Sequence, residues 1–347
     1  MAEILLDSNA FRHNLKLITQ TIKQKPALVL KDNAYGHGLH EIANMAQEYG
    51  IKDVFVKNYA EAKEVACLFE SISILYGGLD SLDTLGTNMA LVINNKDILD
   101  SLRHGDKVEL KINVGMNRNG IDLSECQEFC KEIAKRGLVL FGVLAHIGFG
   151  DEGGDDFTRQ LANFKQAKQH ITTICNKLGI KLPRFHCLSS SGALRLAQNQ
   201  ECIEGDLVRV GIAAYGYLEA PLDIAKDLKK VASLWAHRIC SQTIKKGQSI
   251  GYGGKSIVDK DCIVSTYDIG YGDGFFRVSE NHMLTTAEGY KILPRTSMDC
   301  FSCMSDKPKV CLMSDAKAIA KVFGTISYEV LVRLSPFIKR IVIPPKV

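Results

Sequence analysis

No stretch of this chain is apolar for long enough to cross a bilayer: the longest run, near 138–145, falls far short of the roughly 20 residues a spanning helix needs. The amino terminus, Met1-Ala2-Glu3-Ile4-Leu5-Leu6-Asp7, lacks the basic start and apolar core of a secretory signal. No basic run interleaved with aromatics offers a nucleic-acid surface, and the net charge is only +4. Internal repeats, low-complexity tracts and flexible linkers are missing as well. The 11 cysteines are odd in number and scattered, and Cys67, Cys175, Cys240 and Cys262 sit within apolar segments. That pattern argues against a disulfide framework and for reduced thiols in a cytoplasmic protein. Cys300 and Cys303 form the one C-x-x-C. Without a second pair it makes no zinc site, and its loop context is not that of a redox motif, so no metal is expected.

What is present is ordinary for a globular protein: 347 residues, 46% hydrophobic and 24% charged, enough for two domains. Short apolar runs at 27–31, 53–57, 72–76, 89–93, 107–114, 138–146, 184–188 and 206–210 read as strands. Helical patterns at 39–49, 59–70, 80–87, 95–104, 122–136, 156–178 and 192–199 alternate with them, and a further helix, 8–24, comes first. Eight such units predict an α/β fold, a (β/α)8 TIM-like barrel over 8–217, with a doubly wound sheet as the alternative. Beyond Tyr217, strand-like runs at 231–244, 261–267, 290–293, 309–312 and 338–343 dominate, with helical patterns only at 314–322 and 326–334. Residues 218–347, joined by the amino-terminal strand 1–7, therefore read as a smaller, mostly β domain.

Barrel enzymes carry their chemistry at the carboxyl ends of the strands. Lys31 closes the first expected strand, in Leu30-Lys31-Asp32-Asn33-Ala34-Tyr35-Gly36-His37-Gly38. In a partly dry pocket a lysine loses proton affinity and becomes a nucleophile suited to a Schiff base, and pyridoxal 5′-phosphate is the commonest carbonyl cofactor. A surface lysine at a strand end is the plain alternative. Asn117 and Arg118 follow the fifth strand, His146 closes the sixth, Ser189-Ser190-Ser191-Gly192 follows the seventh and Arg209 ends the eighth. His146 could equally be a core histidine, and Arg209 an ion-pair partner of Asp206 or Glu204. A serine-glycine turn opening a helix suits a phosphate, though such a turn also serves as a simple cap. On the fifth strand Val108, Leu110, Ile112 and Val114 alternate with Glu109, Lys111 and Asn113, which points the second set inward. A buried Lys111 needs a partner such as Glu109, or carbamylation to an anion that could hold Arg118.

Together these segments resemble the alanine racemases, fold-type III enzymes that use pyridoxal 5′-phosphate. The likeness spans nearly the whole chain and rests on Lys31–Gly38, on Lys111-Ile112-Asn113-Val114-Gly115-Met116-Asn117-Arg118, on Val208–Gly216, on Gly251-Tyr252-Gly253, on Ile269–Gly274 and on Ser297-Met298-Asp299. It implies that Lys31 binds the cofactor covalently and acts as one base, and that Tyr252 is the second base, reaching in from the partner of a homodimer with shared active sites. It implies that Arg118 holds the substrate carboxylate and that Met298 and Asp299 complete the site from the partner. Tyr35, Ser191, Gly211, Ile212 and Tyr328 would surround the phosphate, Arg209 would face the pyridine nitrogen, and His146 would pack nearby. Asp151, Tyr271, Arg277 and Arg295 match an access corridor. Ser190 stands where the family more often has asparagine. The implied reaction interconverts L- and D-alanine and supplies D-alanine for peptidoglycan. A racemase of serine or another amino acid, a non-catalytic cofactor-binding protein and a decarboxylase of related fold are the alternatives. The last would place a carboxylate, not Arg209, near the pyridine nitrogen.

Overall fold

The computed structural model describes residues 1–24, 26–80, 83–203 and 205–344. It divides into two units: Phe11–Asp32 with Ile42–Lys229, and Met1–Ala10 with Asn33–Glu41 and Lys230–Val347. In the first unit, eight strands run in parallel: Ala27–Val29, Asp53–Val56, Ser71–Ile74, Met89–Ile93, Lys107–Lys111, Val139–Leu144, Arg184–His186 and Arg209–Val210. Each of the first six pairs with the next in sequence, and the eighth pairs with the first, Ala27 opposite Arg209 and Leu28 opposite Val210. The seventh and eighth meet through the Arg209 amide, which donates to the Leu188 carbonyl at 3.1 Å. The ring is thus nearly closed. A doubly wound sheet would reverse its strand order partway, and this one does not. Most strand residues are buried on both faces, as a barrel wrapped in helices requires.

The interior of the barrel departs from an all-apolar filling. Ser73, Glu109, His186, Lys111 and Arg209 are all buried there. The alternation read on the fifth strand holds, because Glu109 and Lys111 are as buried as Val108 and Leu110. Outside, the helix Ser8–Ile22 begins where the Asp7 carboxylate accepts the Ala10 amide at 3.0 Å, and it buries Phe11, Leu15, Ile18 and Ile22 at helical spacing. Two expected helices fail. Residues 83–86 form none, and Ser81 and Leu82 of that segment lie outside the described residues. The pattern at 95–104 shortens to one tight turn, Asp97–Ser101. Gly77, Gly78 and Gly86 crowd this stretch, and each glycine in a helix costs about 1 kcal/mol.

In the second unit a 13-residue strand, Ala232–Ile244, is the spine of a mixed sheet. Glu3–Asp7, Cys262–Tyr267 and Lys309–Met313 all pair with it antiparallel. Glu3–Asp7 also pairs in parallel with Lys339–Ile343. Tyr267 and Phe301 stack at 5.3 Å in its core, both essentially inaccessible. Two short helices follow: Ala316–Phe323, capped by Asp315 and ended by Gly324, and Ser327–Val332.

Candidate active site

The first strand ends at Val29, two residues earlier than expected, and Lys31 opens a tight turn instead of closing the strand. Asp32, Asn33, Ala34 and Tyr35 have φ between 51° and 55°, a full turn of left-handed helix built from residues other than glycine. Each such residue costs about 1–2 kcal/mol, so neighbouring contacts must hold the turn. The Asn33 carboxamide accepts the Leu39 amide at 2.7 Å, and the Gly36 carbonyl accepts from the Arg340 guanidinium at 2.9 Å. Gly36 has φ +77°, and a Cβ there would overlap the Leu331 carbonyl, so backbone conformation and space both demand glycine.

Lys31, Lys111, Arg118 and Arg209 lie close enough to one another to set the local chemistry. Burial lowers the proton affinity of Lys31, with Arg118 and Lys57 adding to the effect and Asp32 and Glu61 opposing it. Lys57 is itself paired with Asp32 at 2.7 Å. Burial, then repulsion from Arg118, Arg209 and Lys31, brings Lys111 down to about 8. Lys111 sits 5.4 Å from the centre of the Tyr76 ring. Burial and the same four cations push His146 down to about 3, which makes it a neutral ring at working pH. Lys111, Asn113, Met116, Arg118 and His146 line one depression. A pocket with this many cations calls for anionic ligands.

Glu109 is not the partner of Lys111. Its carboxylate accepts from Arg184 at 2.5 and 3.0 Å, from the Ser73 hydroxyl at 2.9 Å and from His186 Nε2 at 3.1 Å. Arg184 also reaches Asp53 at 2.6 Å. On its other side His186 meets Arg209: Nδ1 lies 2.6 Å from an Arg209 Nη. Arginine only donates, so Nδ1 accepts and the ring proton is on Nε2, donated to Glu109. Burial carries His186 down to about 4, so the ring is neutral and the Arg184 cation holds Glu109 ionised. The Arg209 guanidinium also donates to the Ala145, His186 and Cys187 carbonyls at 2.7, 3.2 and 3.3 Å. Of the two acids weighed for Arg209, Asp206 accepts the Phe185 amide instead, and Glu204 lies outside the described residues.

After the seventh strand, Ser189 begins the helix Ser190–Gln198. The serine that faces Gly211 is Ser190, whose hydroxyl accepts the Gly211 amide at 3.0 Å. Ser191 turns to Asp151, donating at 2.5 Å, so Asp151 ends on a serine hydroxyl rather than standing apart from the serine turn. Ile212 starts the short helix that follows Gly211. A buried hydroxyl beside a backbone amide at a helix start, with cationic side chains in the same barrel, is a donor set that fits a phosphorylated aldehyde. His186 and Arg184 are the residues to which the sequence reading assigned no role, and Ser190 entered it only as part of the serine turn. Arg184 and His186 are separated by two positions on one strand, the signal that both point inward.

In the second unit the Tyr35 and Tyr328 rings lie 6.0 Å apart. Tyr252 projects from a turn in which Gly251, Gly253 and Gly254 all have positive φ, and it is 63% exposed. Gly253 and Gly251 pass close to Arg295, whose side chain pairs with Glu280 at 2.7 and 3.0 Å. The segments around Tyr271 and Met298 are one structure: the Tyr271 and Gly272 amides donate to the Ser297 and Met298 carbonyls at 3.1 and 2.8 Å. A Cβ on Gly270 would overlap the Met298 carbonyl. Arg277 and Arg295 flank a pair, Val278 and Thr296, joined by backbone and side-chain bonds at 3.2 and 2.9 Å. Met298 is 55% exposed, and Arg277 and Asp299 are exposed as well. Among the described residues no His, Cys, Asp and Glu cluster is arranged to hold a metal, and no helix is long and apolar enough to cross a membrane.

The family model described as the alanine racemase N-terminal domain matches residues 6–219, and that of the alanine racemase C-terminal domain matches 231–342. An alanine racemase of Campylobacter concisus is 42% identical over 342 residues, 98% of this chain and 99% of that one. The crystal structure of alanine racemase from Bacillus anthracis with bound L-Ala-P superposes with a TM-score of 0.83 at 24% identity, covering 99% of this chain and 95% of that one. That of Bartonella henselae alanine racemase with covalently bound pyridoxal phosphate gives 0.80 at 23% identity, covering 99% of each. At that identity the two structures speak for the fold.

Proposed function

The chain belongs to the alanine racemase family, and from that premise we propose that it works in the cytoplasm, where it interconverts L- and D-alanine with pyridoxal 5′-phosphate and supplies D-alanine for peptidoglycan. The observation that carries the reading is the convergence of Lys31, Lys111, Arg118 and Arg209 at one end of the barrel, around a neutral His146. Two anions, a phosphate and an amino-acid carboxylate, would offset that charge. When bound, the cofactor supplies an electron sink for the substrate α-carbon.

Lys31 is suited to hold the cofactor covalently, because burial leaves more of its amine neutral. Ser190, the Gly211 amide, Ile212 and Ser191 would take the phosphate, with the Tyr35 and Tyr328 hydroxyls added by family resemblance. Arg118 would bind the substrate carboxylate. Arg209, permanently charged, would face the pyridine nitrogen and disfavour a proton there. Racemisation removes the α-proton from one face and returns one to the other, so two bases on opposite sides are needed. The Lys31 amine serves one face and the Tyr252 hydroxyl the other. A base that is 63% exposed in a single chain lacks the walls that shield proton transfer. Tyr252, Met298 and Asp299 would therefore be buried against the barrel of a second copy, in a homodimer with shared sites. Asp151, Tyr271, Arg277 and Arg295 would line the way in. Lys111, at about 8, retains enough neutral amine near that pH to take up carbon dioxide.

The protein, supplied with cofactor and L-alanine, should approach an equal mixture of the two enantiomers by chiral chromatography. Mixed Lys31→Ala and Tyr252→Phe proteins should regain activity through hybrid dimers. Cofactor binding without any D-alanine would overturn the reading in favour of another amino acid or a non-catalytic binder, and no regained activity despite subunit exchange would refute the shared site.

A further inference from the structure

In the buried chain Arg184–Glu109–His186–Arg209 only Arg209 has a role in the chemistry set out above, and the composition of the chain is expensive. Glu109 and His186 are fully inaccessible, and Arg209 is 6% exposed. Replacing a buried ion pair by apolar residues is often neutral or stabilising, so stability alone is a weak reason to keep one here. The layout suggests another. Glu109 has two oxygens. One is taken by Arg184 and Ser73, and the other is left for His186. Glu109 therefore meets the ring with an acceptor only, which places the proton on Nε2 and leaves the Nδ1 lone pair for Arg209 at 2.6 Å. With the opposite tautomer, an N–H would face an N–H across that gap, and the guanidinium would have to turn away.

We propose that Glu109, neutralised by Arg184, is a positioning residue for Arg209: it fixes His186 as the Nε2–H tautomer, and His186 in turn fixes the Arg209 guanidinium. The inference rests on the reading of Arg209 as the group that faces the cofactor ring. Three backbone carbonyls and the His186 nitrogen leave the guanidinium little freedom to rotate. Its orientation is then set from within the barrel, before any ligand arrives. Glu109 touches none of the proposed reacting groups and acts through two intermediaries.

The test uses the holoenzyme labelled with 15N-histidine, and the double variant Glu109→Leu with Arg184→Met, which removes both charges together so that neither is stranded. In the wild type the His186 nitrogens should report a protonated Nε2 and a bare Nδ1 at pH 7.5. In the folded, cofactor-loaded double variant His186 should show mixed tautomers. The absorption band of the bound cofactor should shift, and kcat for L-alanine should fall by about tenfold or more with KM within about twofold. A wild-type His186 protonated on Nδ1, or on both nitrogens, would overturn the proposal whether or not the variant folds. So would a double variant with wild-type spectrum and kcat. A wild-type protein with the Nε2–H tautomer but no racemisation would refute the functional reading and leave the hydrogen-bond chain standing.

Discussion

Mild acid should unfold this protein through its buried histidines before its carboxylates contribute. His37 and His186 are both fully inaccessible, and burial lowers each from 6.5 to about 4, while burial and the neighbouring cations take His146 to about 3. His37 donates from Nδ1 to the Tyr35 carbonyl at 3.0 Å, in the glycine-rich turn after the first strand. His186 sits beneath Arg209. The sign follows from linkage: a histidine whose folded value is depressed stays neutral in the folded chain while the unfolded chain takes up protons below about 6.5. Stability is therefore full above 6.5 and is lost as the pH falls toward 4. At pH 5 each histidine accounts for a loss of about 2 kcal/mol, about 6 kcal/mol for the three. Glu3 and Glu109 are held below their ordinary value, so their contribution is present above about 4.5 and fades only below it. The window from 7.5 to 5 thus isolates the histidines. Urea denaturation at fixed protein concentration, followed by circular dichroism at both pH values, measures the difference. In His37→Gln the loss on acidification should shrink to about 4 kcal/mol. A wild-type loss below about 1 kcal/mol would refute the argument that these rings are buried and neutral.

Gly36→Ala should destabilise the protein by about 3 kcal/mol in the same assay, from a left-handed φ and an overlap with the Leu331 carbonyl; an unchanged denaturation midpoint would contradict the turn. Ser190→Ala should weaken cofactor binding by about tenfold in a fluorescence titration and Ser191→Ala by less, because Ser190 faces the Gly211 amide; the reverse order would make Ser191 the main phosphate ligand. Tyr252→Phe should slow proton removal from L-alanine more than from D-alanine, and equal solvent isotope exchange from both would contradict the division between the two bases. Lys111 should carry a 13C-carbamate signal when the protein is equilibrated with labelled bicarbonate near pH 8; its absence would leave Lys111 as a free amine beside Tyr76.

The barrel was legible because its strands are buried on both faces and are separated by helical periods, the two signals a sequence carries well. The strand ends were less so. Lys31 was placed at the close of a strand, whereas it opens a left-handed turn, and four consecutive residues in that conformation contradict the local preferences of Asp32, Ala34 and Tyr35. Besides the local bond from Leu39 to Asn33, that turn is held by tertiary contacts at Gly36, from Leu331 and Arg340, residues some 300 positions away. The same distance in sequence hid the partners of Glu109. Its inward direction followed from alternation, but Lys111 was the nearest cation in sequence, and Arg184 and His186 lie 75 and 77 positions on. Between Ser190 and Ser191 the motif alone could not decide. A one-residue shift on a helix rotates a side chain by about 100°, and here it separates a hydroxyl facing Gly211 from one facing Asp151.

The two sets of proposed site residues obey opposite physical demands, and this explains why they come from different units. Binding anions tightly needs cations held in a low-dielectric setting, where each is weakly screened. Such groups must be fixed from below by a scaffold, as the carbonyls and His186 fix Arg209. The proposed opposite-face base has to act from the side away from Lys31. A turn of three glycines with positive φ carries Tyr252 clear of its own sheet. That is a poor way to build a core and an effective way to present one side chain to a neighbour. An exposed tyrosine on such a turn in an isolated subunit is therefore the expected state of half a site, and its burial on dimerisation would complete the pocket that the barrel's cations begin.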